Sequence, residues 1–194
     1  MNLWSKIALL IVIQMLAVAA IVVDKQWTLS TGTPVLLQTQ PIDPRSLFMG
    51  DDVSLAYSIN VLPLDGEFAV AGDKNFDRES TVWVAVKPDL DGATAVSVHH
   101  QRSAIPSDLL ALKGQVESLD ENIQSIAGQM VKRRTLHVRY GIEQYYVQEG
   151  MGHQIERPRG NEKVSILVAI DARGQAGILA VLLDGEVRYR ETML

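Results

Sequence analysis

Hydrophobic residues occur in two different patterns along the chain, and the change between them falls near residue 25. From Ile7 to Val23 the run is apolar without interruption except for Gln14. Adding Leu3 and Trp4 brings it to about 20 residues, the length that crosses a bilayer. A helix of a soluble core normally keeps one polar face, and this segment has none. The pattern predicts a transmembrane helix over residues 1–25, with residues 4–23 in the lipid bilayer. Gln26 to Thr33 is polar and contains a glycine, which predicts a short tether over 26–33.

Beyond the tether the apolar positions recur every second residue or in short β-branched runs, the signature of strands. Pro34–Thr39, Val53–Ile59 and Val82–Val86 have this character, and Pro88-Asp89-Leu90-Asp91-Gly92 is a turn by composition that returns the chain through Ala93–Val98. The second half repeats the order with Leu110–Glu117, Thr135–Ile142 and Val164–Ile170. A turn at Asp171-Ala172-Arg173-Gly174 leads into Ala176–Leu183, and Asp184-Gly185 marks a last turn before Glu186–Arg190. Tyr57 and Tyr140 stand 83 residues apart, as do the hairpin residues Trp83 and Ile166. Residues 34–98 and 109–184 therefore read as an internal duplication.

One helix is expected inside this β body. Ser118-Leu119-Asp120-Glu121 fits a capping box, and Ile123, Ile126, Ala127 and Met130 then line one face at helical spacing. A second short helix is placed around His153–Arg157. The expected fold is mainly β: an N-terminal transmembrane helix, then a compact antiparallel barrel or sandwich over 34–194 with one or two short helices.

Charge and composition narrow the function. Ala17, Ala19 and Ala20 offer a signal-peptidase site, but cleavage there would leave Ile21-Val22-Val23 as an apolar stub, so an uncleaved anchor is favoured. Lys6 ahead of the run favours a cytoplasmic N-terminus in the inner membrane and a periplasmic body. Lys25 to Leu194 holds 17 Lys+Arg against 22 Asp+Glu. That balance, with Lys132-Arg133-Arg134 as the one basic cluster, argues against nucleic-acid binding. The absence of cysteine excludes disulfides, thiol catalysis and thiolate metal sites.

The densest motif runs from Pro41 to Tyr57. Asp43-Pro44 sets an extended approach, Gly50 permits a positive φ or a close backbone approach, and Asp51 can cap the turn or pair with Arg45. Gly50-Asp51-Asp52-Val53-Ser54-Leu55-Ala56-Tyr57 resembles the signature of the GDYXXLXY family of small membrane-anchored proteins. Tyr140 to Gly150 and the closing hairpin around Gly174 resemble its weaker signatures. Asp52 stands where the family has tyrosine. The resemblance implies no reaction; it implies a polytopic membrane protein as partner.

Candidate chemistry is sparse. His99 and His100 are strand neighbours that point to opposite faces, and no ligand spacing involves His137 or His153. A serine–lysine protease would have a serine eight residues before Gly50, where Ile42 stands. No catalytic residue, metal or cofactor is expected. The candidate binding residues are Asp43, Arg45, Gly50, Asp51, Tyr57, Tyr140, Glu143 and Glu149. The leading expectation is a non-enzymatic accessory module of an envelope complex. The alternative is a ligand-binding or hydrolytic β domain in which Asp43, Asp51, Glu143 and Glu149 line one cleft.

Overall fold

A computed structural model describes residues 2–40, 52–65, 68–71, 75–126, 129–146 and 163–191. The helix α1 (Leu3–Thr31) is followed by β1 (Thr33–Gln40), β2 (Asp52–Ser54), β3 (Ala56–Tyr57), β4 (Val61–Pro63) and β5 (Ala69–Ala71). Then come β6 (Thr81–Lys87), β7 (Thr94–His99), β8 (Leu110–Ile126), β9 (Gln129–Arg139) and β10 (Gln144–Tyr146). The chain closes with β11 (Val164–Ile170), β12 (Ala176–Leu183) and β13 (Glu186–Arg190). The protein is mainly β, as the alternation of its residues predicts.

The strands form two larger sheets, ordered β13-β12-β11-β1-β3 and β4-β9-β8-β6-β7-β5, and a small pair β10-β2. Every described pairing is antiparallel except β5 with β7. The central strands are β-branched and turn alternate residues inward: Val82, Val84 and Val86 from β6 meet Val35 and Leu37 from β1 and Ile166 and Val168 from β11 in one core. The hairpins predicted around residues 88–92 and 171–174 both form. The β12–β13 turn has Asp184 and Gly185 at positive φ (49° and 83°), the conformation for which Asp-Gly is suited.

Two expectations are overturned. The capping-box helix does not exist: Ser118 to Ile126 is the far half of β8, and the chain returns in β9. Glu121 faces Arg134 and Ile123 faces Lys132. The acidic residues that would open a helix instead find cross-strand bases, Glu121 with Lys132 at 2.6 Å and with Arg134 at 3.1 Å, and Asp120 with His137 at 3.1 Å. The opposed charges of Glu121 with Lys132 and Arg134, together with the Asp120–His137 contact, stabilise a ribbon where local spacing favours a helix. β6 covers β8 only as far as Gln115 and β4 covers β9 only at Thr135–His137. Among the described residues the ribbon beyond, Asn122–Ile126 with Gln129–Arg133, pairs with no further strand and forms a two-stranded arm, with Ile123 and Met130 67% and 76% exposed. The second correction concerns the tether. Residues 26–31 continue α1, and Gly32 alone separates the helix from β1. The helix expected around His153–Arg157 falls outside the described residues.

The arm gives a simple test of register. Ile123→Cys with Lys132→Cys should crosslink on mild oxidation in this cysteine-free chain, because the two residues are cross-strand partners. In a helix they would lie about 13 Å apart along the axis, and no bond would form. Non-reducing and reducing gel mobility reads the result.

Candidate functional site

The two sequence signatures, 83 residues apart, meet in the core. Tyr57 is fully buried and Tyr140 nearly so. The Tyr57 hydroxyl donates to the carbonyl of Ile142 (2.6 Å), and the Tyr140 hydroxyl donates to the carbonyl of Ile59 (2.6 Å). Each tyrosine thus bonds to the residue two places after the other. The residue three after each tyrosine caps its own turn: the Tyr57 N–H donates to Asn60 Oδ1 (2.6 Å), and the Tyr140 N–H donates to Glu143 Oε1. The two caps then join, Asn60 Nδ2 donating to Glu143 Oε1 (3.1 Å).

Glu143 is committed to this junction. Its second oxygen accepts the N–H groups of Gly141 (2.8 Å) and Ile142 (3.1 Å), and its backbone carbonyl accepts the N–H of Leu55 (2.7 Å). Gly141, at φ +78°, gives the turn its shape. Burial pushes both tyrosine hydroxyls far above their ordinary range, and the Glu143 carboxylate adds to the effect. They stay neutral donors. The arrangement holds the two turns together through hydrogen bonds between groups of the protein itself.

A second cluster joins α1 to the body. Thr28 and Leu29, the last inward residues of the helix, are buried. The Thr28 hydroxyl donates to Asp171 Oδ2 (2.9 Å), and Arg173 donates to the same oxygen through Nε (3.0 Å) and Nη2 (2.8 Å). Arg173 Nη1 reaches Asp24. Asp171 Oδ1 accepts the N–H groups of Arg173 (2.8 Å) and Gln175 (2.9 Å). Burial alone would raise the Asp171 carboxyl. The hydrogen bonds from Arg173, Gln175 and Thr28 outweigh it and hold the group below the usual carboxylate range. Gly32 lets the chain turn tightly here, since a Cβ would lie 2.7 Å from the Thr28 carbonyl and 2.8 Å from the Ala169 side chain.

A family model, described as GDYXXLXY protein, matches residues 14–181. The chain belongs to the GDYXXLXY family. No curated protein and no solved structure matches it. The leucine and the last tyrosine of the GDYXXLXY stretch, Leu55 and Tyr57, are both core residues bonded to the Tyr140–Glu143 turn. Three of the candidate binding residues, Tyr57, Tyr140 and Glu143, are therefore brought together, but as internal structure and not as an open binding surface. Asp43, Arg45, Gly50, Asp51 and Glu149 lie outside the described residues. A carboxylate cleft that includes Glu143 would have to do without its oxygens, which the turn already occupies.

Sequence reasoning missed Asn60, Thr28, Asp171 and Arg173. Asn60 was within reach: it follows Tyr57 by three, as Glu143 follows Tyr140. Nothing local says that the Asp171 turn holds a helix 143 residues earlier.

One further buried pair stands on β7, where Ser97 Oγ and His99 Nε2 are 2.8 Å apart. His99 Nδ1 is buried with no partner, and burial lowers the imidazole's affinity for a proton. As pH falls, the unfolded chain takes up the proton first. Stability should therefore be complete above about pH 6.5 and decline below it, at no more than about 1.4 kcal/mol per pH unit. Urea titrations at pH 7.5 and 5.5 should show a smaller difference for His99→Gln than for the parent. Equal differences would remove His99 as the cause.

Proposed function

We propose that this protein is a membrane-anchored, extracytoplasmic accessory module of an envelope complex, without chemistry of its own, that engages a polytopic membrane protein in the same bilayer. α1 would hold it in the cytoplasmic membrane with the N-terminus inside and the β body in the periplasm. The observation that carries this reading is the joint at Thr28, Asp171 and Arg173. The helix is long and apolar enough to cross a membrane, and it enters the body without a flexible break. A body fixed on its anchor meets a partner in the same membrane already oriented, which lowers the entropic cost of association. The candidate residues that the structure describes serve internal bonding, which supports a scaffold over an enzyme.

The duplication belongs to the same proposal. Val61, Leu62 and Pro63 pair with His137, Leu136 and Thr135, while Gln144, Tyr145 and Tyr146 pair with Ser54, Val53 and Asp52. A shift of 83 residues converts one set into the other. The same shift carries β6 onto β11. We read the body as two copies of one unit related by a pseudo-two-fold axis through the tyrosine junction.

In-cell crosslinking of the tagged full-length chain, compared with an Asp51→Ala/Arg45→Ala variant, tests the function. The expected result is a specific membrane protein that is captured by the parent and lost in the variant. Reproducible absence of any captured protein, with both chains stable in the membrane, would sink the accessory role.

A further inference from the structure

The anchor sets the height of everything attached to it. Trp4 and Trp27 are well exposed near the two ends of α1. At 1.5 Å per residue they stand about 35 Å apart. That matches the separation of the two bilayer interfaces, where tryptophan rings settle. Thr31 lies one turn beyond Trp27, a further 6 Å or so. The polar headgroup layer on each side of a bilayer is about 5–7 Å thick. A cleft that opens beside Thr31 therefore opens among headgroups.

Such a cleft exists, with a volume of about 750 Å³. Thr31 and Thr33 line it from the helix end, and Arg102, Ser103, Ile105 and Ser107 line it from the segment before β8. Arg102 is exposed, and among the described residues its guanidinium has no hydrogen-bond or ion-pair partner. The acid of this cleft, Asp171, does not neutralise it, because both carboxylate oxygens are held by Thr28, Arg173 and Gln175.

We propose that this cleft binds the phosphate of an anionic phospholipid in the leaflet where α1 ends. A guanidinium offers paired N–H donors matched to phosphate oxygens. The Thr33, Ser103 and Ser107 hydroxyls can donate to the remaining polar atoms of the headgroup, and Ile105 adds apolar surface to the lining. The cleft then makes the body a reader of the membrane surface as well as a domain tethered to it. This inference rests on the anchored reading of α1.

Native mass spectrometry of the full-length protein in detergent tests it, with dihexanoylphosphatidylglycerol, dihexanoylphosphatidylcholine and inorganic phosphate as separate probes. The phosphatidylglycerol adduct should form and weaken about tenfold or more in Arg102→Ala, as expected for loss of a charge-assisted pair. Arg102→Lys should keep part of it, and Arg188→Ala, on exposed β13, should leave it unchanged. Equal binding of phosphatidylcholine, or an adduct indifferent to Arg102→Ala, overturns the proposal. Inorganic phosphate binding with the same Arg102 dependence assigns the cleft to free phosphate and overturns the lipid. Alkaline extraction of cell membranes with intact-mass measurement separates the two premises. A chain that retains α1 in the pellet but forms no Arg102-dependent adduct refutes the cleft alone. A chain that has lost α1 refutes the anchor and the cleft together.

Discussion

Tyr57→Ala is expected to destabilise the folded protein by about 4 kcal/mol, the typical loss for deleting a large buried aromatic side chain. Tyr57→Phe should cost about 2 kcal/mol, because the ring still packs while the Ile142 carbonyl loses its buried donor. Tyr140→Phe should cost a similar amount, since its hydroxyl makes the reciprocal bond to Ile59 at the same distance. A domain of this size has about 5–15 kcal/mol in all, so the alanine variant would stand near the edge of folding. Urea unfolding of the full-length chain in detergent, followed by tryptophan fluorescence, measures each value. The two phenylalanine changes should not add, because both hydroxyls tie the same pair of turns. Strict additivity would mean that the junction is two independent contacts. The pH dependence has a definite sign. Both hydroxyls have folded pKa values raised above the ordinary value of about 10, so their contribution is complete below that pH and is lost as pH rises beyond it. The double phenylalanine variant should lose less stability than the parent between pH 9 and 11.

Asp171→Ala should be the second most damaging single change, at about 3 kcal/mol. It removes a nearly buried acceptor and strips partners from the Thr28 hydroxyl, the Arg173 guanidinium and two backbone N–H groups at once. Asp171→Asn keeps the shape but loses the charge and one acceptor, and should cost less. The damage should be local before it is global: limited proteolysis should open the junction between Thr28 and Thr33 in the variant while the β body resists. Uniform digestion of the body in the variant would show that the joint also supports the sheets. Asp171 has a depressed pKa in the fold, so its contribution is present above about pH 3.9 and is lost as pH falls through the folded value. Acid titration should narrow the gap between parent and variant.

The outcome at the arm and at the helix joint shows what a chain can reveal about itself. The membrane-length helix, the period-two strands around Val82–Val86 and Val164–Ile170, the two predicted hairpins and the Asp-Gly turn were all legible, because each depends on residues close together in sequence. Ser118 to Met130 was not. Its apolar spacing and its Ser-x-x-Glu start obey helical rules, and the interactions that overrule them come from Lys132, Arg134 and His137 on the returning strand. The mirrored charges, acids before Ala127-Gly128 and bases after, were the available clue to a ribbon.

By itself the sequence determined a helix long and apolar enough to cross a membrane, the β character, the family motif and, through the absence of cysteine, the absence of thiol chemistry. All of these follow from composition, local period or motif. Only the tertiary structure decided what the singled-out residues do. Tyr57 needs the Ile142 carbonyl, Tyr140 needs the Ile59 carbonyl, and Asp171 needs Thr28. Each pair is more than 80 residues apart, and no local rule anticipates which distant backbone group a buried donor will find. Burial then turned two tyrosines that resemble binding residues into internal bonds of the fold, because a buried polar group must be satisfied within the protein, and half-buried Glu143 became the cap of the turn beside them.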